Sequence, residues 1–129
     1  MQGEPQPGTG EFILLVDDDD AVRTALHGFI SGIGHAVVTA GDGAEALDIL
    51  ARMGSSVRLL ITDICMPVMD GIDLIRLVRA RRPELPIAVI TGFADDGQLQ
   101  SVQSEITVLF RKPVRFAELA AFLGGPGDD

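Results

Sequence analysis

The chain has 129 residues, enough for one domain around one core, and 47% of them are hydrophobic, which excludes an intrinsically disordered protein. A formal charge of −9 with only 10 Lys and Arg argues against nucleic acid binding by this chain, because a phosphate backbone would repel it. The single cysteine, Cys65, permits no internal disulfide, the polar N-terminus offers no apolar signal-peptide core, and no apolar stretch is long enough to span a bilayer, so a cytoplasmic protein without membrane contact is expected.

Residues 1–11 are polar and rich in Gly and Pro and read as a disordered leader. Residues 12–16 are continuously apolar, as in a strand buried on both faces. After a run of four aspartates, Val22, Ala25, Leu26, Phe29, Ile30 and Ile33 recur at helical steps. Asp20 is expected to cap that helix from Ala21, and Gly32 and Gly34 to stop it. A second strand is expected over 36–40, and Gly41-Asp42-Gly43 turns the chain into a helix carrying Ala46, Leu47, Leu50 and Met53.

The third strand covers 57–62, and the third helix covers 72–82 with Leu74, Ile75, Leu77 and Val78 on its apolar side. Arg79-Ala80-Arg81-Arg82 reads as the solvated end of that helix, where cations offset the dipole. Pro83 and Pro86 bracket the turn into a fourth strand at 87–90. A weaker helix at 96–104, a fifth strand at 107–110 and a last helix at 116–123 follow, with 124–129 as a flexible tail. Strands alternating with helices imply an α/β fold, a doubly wound parallel sheet of flavodoxin-like order 2-1-3-4-5, in one domain over 12–123.

In such sheets ligands bind beyond the carboxyl ends of the strands. The first strand is followed there by Asp17 and Asp18, the third by Asp63, the fourth by Thr91 and the fifth by Lys112. Strands 1 and 3 are neighbours in the expected order, so three carboxylates converge, and their repulsion calls for shifted pKa values or a cation. Oxygen donors at this density suit Mg2+ (or Mn2+). Acids, a metal, a hydroxyl and a lysine make a cradle for a transferring phosphoryl group, and a carboxylate nucleophile would give an acyl phosphate.

Four segments in order resemble the receiver domains of two-component response regulators: residues 13–23 with the acidic pair, residues 60–71 with Met66-Pro67 and Asp70-Gly71, residues 90–94, and residues 110–113. The resemblance implies that Asp63 is the phosphoacceptor, that Asp18, Asp63 and the backbone carbonyl of Cys65 hold Mg2+ directly, and that Asp17 acts through metal-bound water. It implies that Lys112 and Thr91 bind phosphoryl oxygens and that the Lys112–Pro113 peptide is cis. A phosphohistidine on a kinase or phosphotransfer protein would dock near Ala21, Val22 and Ala25, beside Pro113-Val114.

The side chains of Cys65 and Phe93 flank the cradle and are expected to set water access and phosphate lifetime. The face of the fourth helix, fifth strand and fifth helix would carry the output and could support a homodimer. One departure touches that output: the family often has an aromatic three residues before the lysine, and here Leu109 stands there with Phe110 beside it. The chain reads as a stand-alone receiver or a piece of a larger kinase or regulator, rather than an enzyme. An aspartyl-nucleophile phosphatase and an unphosphorylated interaction module are the alternatives.

Overall fold

Two hydrophobic periods in the chain, two residues and 3.6, account for the architecture of its computed structural model, which describes residues 11–64, 66, 69–92 and 96–124. The apolar runs form β1 (Phe12–Val16), β3 (Val57–Thr62) and β4 (Ile87–Thr91), buried throughout except for the half-buried Arg58. β2 (Val37–Ala40) and β5 (Val108–Arg111) are less buried and lie at the edges. All neighbouring strands are parallel, in the order β2-β1-β3-β4-β5, as the sequence implied.

Strand alternation divides the core in two. Phe12, Leu14, Val16, Leu60, Ile87 and Val89 face α2 (Gly43–Met53), α3 (Gly71–Arg81) and α4 (Asp96–Val102). Ile13, Leu15, Ile61, Ala88 and Ile90 face α1 (Asp20–Gly32) and α5 (Phe116–Leu123) on the other side. Leu109 packs toward the first layer and Phe110 toward the second, so Phe110 occupies the opposite face from the one Leu109 serves.

Several expectations shift. The cap of α1 is Asp19, whose Oδ1 accepts from the amides of Ala21 and Val22, whereas Asp20 is already in the first turn. Leu77 is 40% exposed, because steps of 100° carry it outside the arc shared by Ile72, Leu74, Ile75 and Val78. Buried Ile49 replaces Leu47 and Leu50 at the centre of the α2 contact. α4 is shorter than expected and passes into a 3₁₀ turn, Gln103–Glu105. β5 starts after Thr107, whose hydroxyl accepts from the amide of Ile87.

The arginine cluster is more than a solvated helix end. Arg79 donates to the carbonyls of Pro83 and Leu85, both at 2.7 Å, and also to those of Arg82 and Glu105. Arg82 reaches the carbonyls of Gly54 and Val57, the latter at 3.1 Å. These guanidiniums satisfy carbonyls around the amino-terminal rim of the sheet, and a helical-end reading could not have found their distant partners.

Candidate functional site

At the opposite rim the sheet's hydrogen bonding runs one residue past the ends of β1, β3 and β5. The amide of Asp17 donates to Ala40 O at 3.2 Å, that of Asp63 to Val16 O at 3.1 Å, and that of Lys112 to Thr91 O at 3.0 Å. This continuation holds Asp17, Asp63 and Lys112 on a rigid ledge while the chain turns into its loops. One oxygen each of Asp17, Asp18 and Asp63 lies within 4.8 Å of the others, the convergence that the strand order implied. Lys112 Nζ closes the group at 3.0 Å from Asp63 Oδ2 and 3.1 Å from Asp17 Oδ2.

Asp63 Oδ1 accepts from the amide of Ile64 at 2.7 Å, so both carboxylate oxygens are oriented. Its side chain keeps 7% of its surface, whereas Asp18 of the same group is exposed. Asp17 is almost wholly buried, and its Oδ1 accepts from the amide of Asp19 at 2.9 Å. Burial pushes the pKa of Asp17 upward, and nearby Asp63 adds to the rise against the opposing effects of the Asp19 amide and Lys112. Burial alone would lower Lys112, but its hydrogen bonds to Asp63 and Asp17 outweigh that and raise it.

Thr91 is fully buried at the end of β4, beside β5 in the sheet. The next residue is Gly92, where an added Cβ would stand 3.3 Å from Lys112 Cβ, so the lysine stem lies against bare backbone. The Lys112–Pro113 peptide is cis, as the resemblance implied. The carbonyl and side chain of Cys65 and the side chain of Phe93 lie outside the described residues.

Two supporting residues escaped the sequence reading of the site. Gly71 opens α3 with its amide on Ile64 O at 2.7 Å, and a Cβ there would fall 2.1 Å from the carbonyl oxygen of Asp63. Only glycine lets the helix start so near the acid's own backbone. The Asp70-Gly71 step within the resemblance was the signal available. The other is Arg23, which donates to Asp17 O from α1.

The donor set fits a hard divalent cation. Three carboxylates crowd together, two of them buried, beside the Lys112 ammonium, and the pKa of Asp17 is pushed upward chiefly by burial, with a smaller rise from Asp63. Next to the rim, Val22, Ala25 and Leu26 of α1 form an apolar groove with Pro113, Val114 and Phe116; Ala21 is exposed but not among the lining residues.

The family profile described as response regulator receiver domain matches residues 13–123. Sensor kinase CckA of Brucella abortus (strain 2308) is 33% identical over 109 residues, 84% of this chain and 12% of that protein. Regulator of RpoS of Escherichia coli (strain K12) is 32% identical over 85% of this chain and 32% of its own length. The chain therefore spans an eighth to a third of these curated relatives. Among solved structures, a response regulator receiver protein from Pseudomonas putida superposes with a TM-score of 0.84 at 30% identity, covering 91% of this chain and 98% of that one.

Proposed function

The chain belongs to the response regulator receiver domain family of two-component signalling, and from that premise we propose that residues 12–123 take a phosphoryl group from a phosphohistidine onto Asp63. The observation that carries this reading is the recessed Asp63 carboxylate, set beside Asp17 and Asp18 and faced by Lys112 Nζ at 3.0 Å. Receiver domains bind Mg2+ at such an acidic pocket; here Asp18 and Asp63 would hold it, with Asp17 behind them and the Cys65 carbonyl as a further ligand. When bound, the ion would neutralise the carboxylates and draw charge from the phosphoryl oxygens.

The chain's own residues supply the rest. A carboxylate oxygen of Asp63 forms the new O–P bond as the P–N bond of the donor breaks, and the electron pair stays on the donor's imidazole nitrogen. The Ile64 amide and the sheet bond from Asp63 N to Val16 O keep the nucleophile from turning away. Lys112 exchanges its hold on Asp63 for a phosphoryl oxygen, and the Thr91 hydroxyl hydrogen-bonds another. Its shift biases the face of α4, β5 and α5, which is the proposed output and dimer surface.

The groove of Val22, Ala25 and Val114 adjoins Lys112 and suits the apolar flank of a donor helix from a histidine kinase or phosphotransfer protein. No helix among the described residues is long and apolar enough to cross a membrane, and we place the domain in the cytoplasm, either alone or within a larger kinase or regulator. Cys65 and Phe93 are proposed to meter water at the acyl phosphate.

Acetyl phosphate with Mg2+ tests the assignment. One phosphoryl group per chain, mapped by mass to Asp63 and absent in Asp63→Asn, is expected. Label on the Asn variant would overturn it, and repeated turnover of a phosphomonoester would favour a phosphatase instead.

A further inference from the structure

The peptide joining Asp17 to Asp18 connects a buried acid to an exposed one, and the orientation of its plane sets where Asp18 can point. Asp17 is held from two directions by its side chain, through the Asp19 amide and Lys112. The carbonyl of this peptide is held separately, by Arg23 Nη1 at 2.6 Å. The other terminal nitrogen of the guanidinium pairs with Asp20 Oδ1, and the Arg23 amide donates to Asp19 O at 2.9 Å. Arg23 keeps only 22% of its side-chain surface. It lies over Gly41, where a Cβ would come within 3.6 Å of Nη1, next to Glu45, which accepts from the Gly41 amide at 2.7 Å.

From this clamp we infer that Arg23 is a positioning residue for the cation site: by fixing the Asp17–Asp18 peptide from α1 it aims Asp18 at Asp63. The inference rests on the reading of Asp17, Asp18 and Asp63 as the metal-holding group. Its physical content lies in the sign of the effect. A guanidinium near the site repels a divalent cation, so as a mere charge Arg23 should weaken metal binding. As a clamp it should strengthen binding, because Asp18 then needs no reordering when the ion arrives. A lysine keeps the charge but, with a shorter stem and no planar fork, cannot fix Asp17 O in one orientation.

The probe is Mn2+ binding to the whole chain, followed by electron paramagnetic resonance of the free ion, with circular dichroism confirming that each variant is folded. Arg23→Met and Arg23→Lys should each bind about tenfold more weakly than the unaltered chain, the scale typical of lost outer-shell partners. Asp20→Asn leaves the Asp17 bond in place and should stay within about threefold, below that scale. Tighter or unchanged binding in Arg23→Met, or unaltered affinity in Arg23→Lys, overturns the inference. So does a lowered melting temperature with unaltered affinity, which would make Arg23 structural only. Asp18→Asn separates the two layers: if it binds Mn2+ as well as the unaltered chain, the metal reading itself has failed. If it loses binding while the Arg23 variants keep it, only the positioning role has.

Discussion

The two rims of the sheet both hold half-buried charge, and they treat it in opposite ways. At the amino-terminal rim, Arg79 and Arg82 spend their N–H groups on the carbonyls of Pro83, Leu85, Gly54 and Val57, and each also has an acidic neighbour. At the carboxyl-terminal rim, Asp17 and Asp63 share Lys112 with the exposed Asp18 close by, and burial drives the pKa of Asp17 upward. The first rim is complete as it stands. The second is stable only as far as the rest of the fold tolerates it, and it gains by taking up a cation or a proton. Parallel strands explain the division, because all their carboxyl ends deliver side chains to one side and all their amino ends to the other.

The sharpest test of the contrast is Asp63→Asn. Phosphoryl uptake from acetyl phosphate should fall by at least about a hundredfold, since a neutral amide is a far poorer nucleophile than the carboxylate it replaces, while the melting temperature should not fall. Uptake that survives would erase the distinction between the rims. Gly71→Ala should be the most costly change to the fold, about 3 kcal/mol or more in denaturant unfolding, because its methyl would meet the Asp63 carbonyl at 2.1 Å. An alanine variant as stable as the parent would show that α3 can retreat from the acid.

Metal should distinguish the rims directly. Mg2+ at a hundredfold excess over its Kd should stabilise the chain by about 2.7 kcal/mol. The gain should vanish in Asp18→Asn and persist in Arg79→Met, as read by thermal unfolding. Arg79→Met should itself cost about 1 kcal/mol, since three part-buried carbonyls and one exposed carbonyl lose their donor, yet leave phosphoryl uptake unaltered. An uptake defect there would tie the two rims together.

The smallest effect expected is at alkaline pH. The pKa of Lys112 is higher in the fold than in the unfolded chain, so its stabilisation is present in full below about pH 10.4 and is lost as pH rises through the folded value. Above about pH 10.4, where the parent loses that stabilisation, Lys112→Met should show a flatter unfolding profile than the parent. Matching slopes would remove Lys112 from the balance of charge.

Much of this was legible in the chain. Apolar runs and helical spacing placed five strands and five helices within a few residues, and the residue types following the strands named Asp17, Asp18, Asp63, Thr91 and Lys112. Leu77 misled because a helix face is an arc whose edges depend on what packs against it, and Asp20 because either of two neighbouring aspartates could cap α1. Gly71 was visible only as part of a resemblance, because a glycine does not state which backbone it must approach.

Local pattern by itself therefore determined the elements, their alternation and the kind of chemistry at the strand ends, since these depend on neighbours a few positions apart. Tertiary structure alone decided the 3.0 and 3.1 Å reach of Lys112, the near-burial of Asp63, the Arg23 bond to Asp17 O and the arginine partners at the far rim. Each joins atoms whose separation is set by strand order, helix packing and backbone approach, and a linear pattern of residue types holds none of those distances.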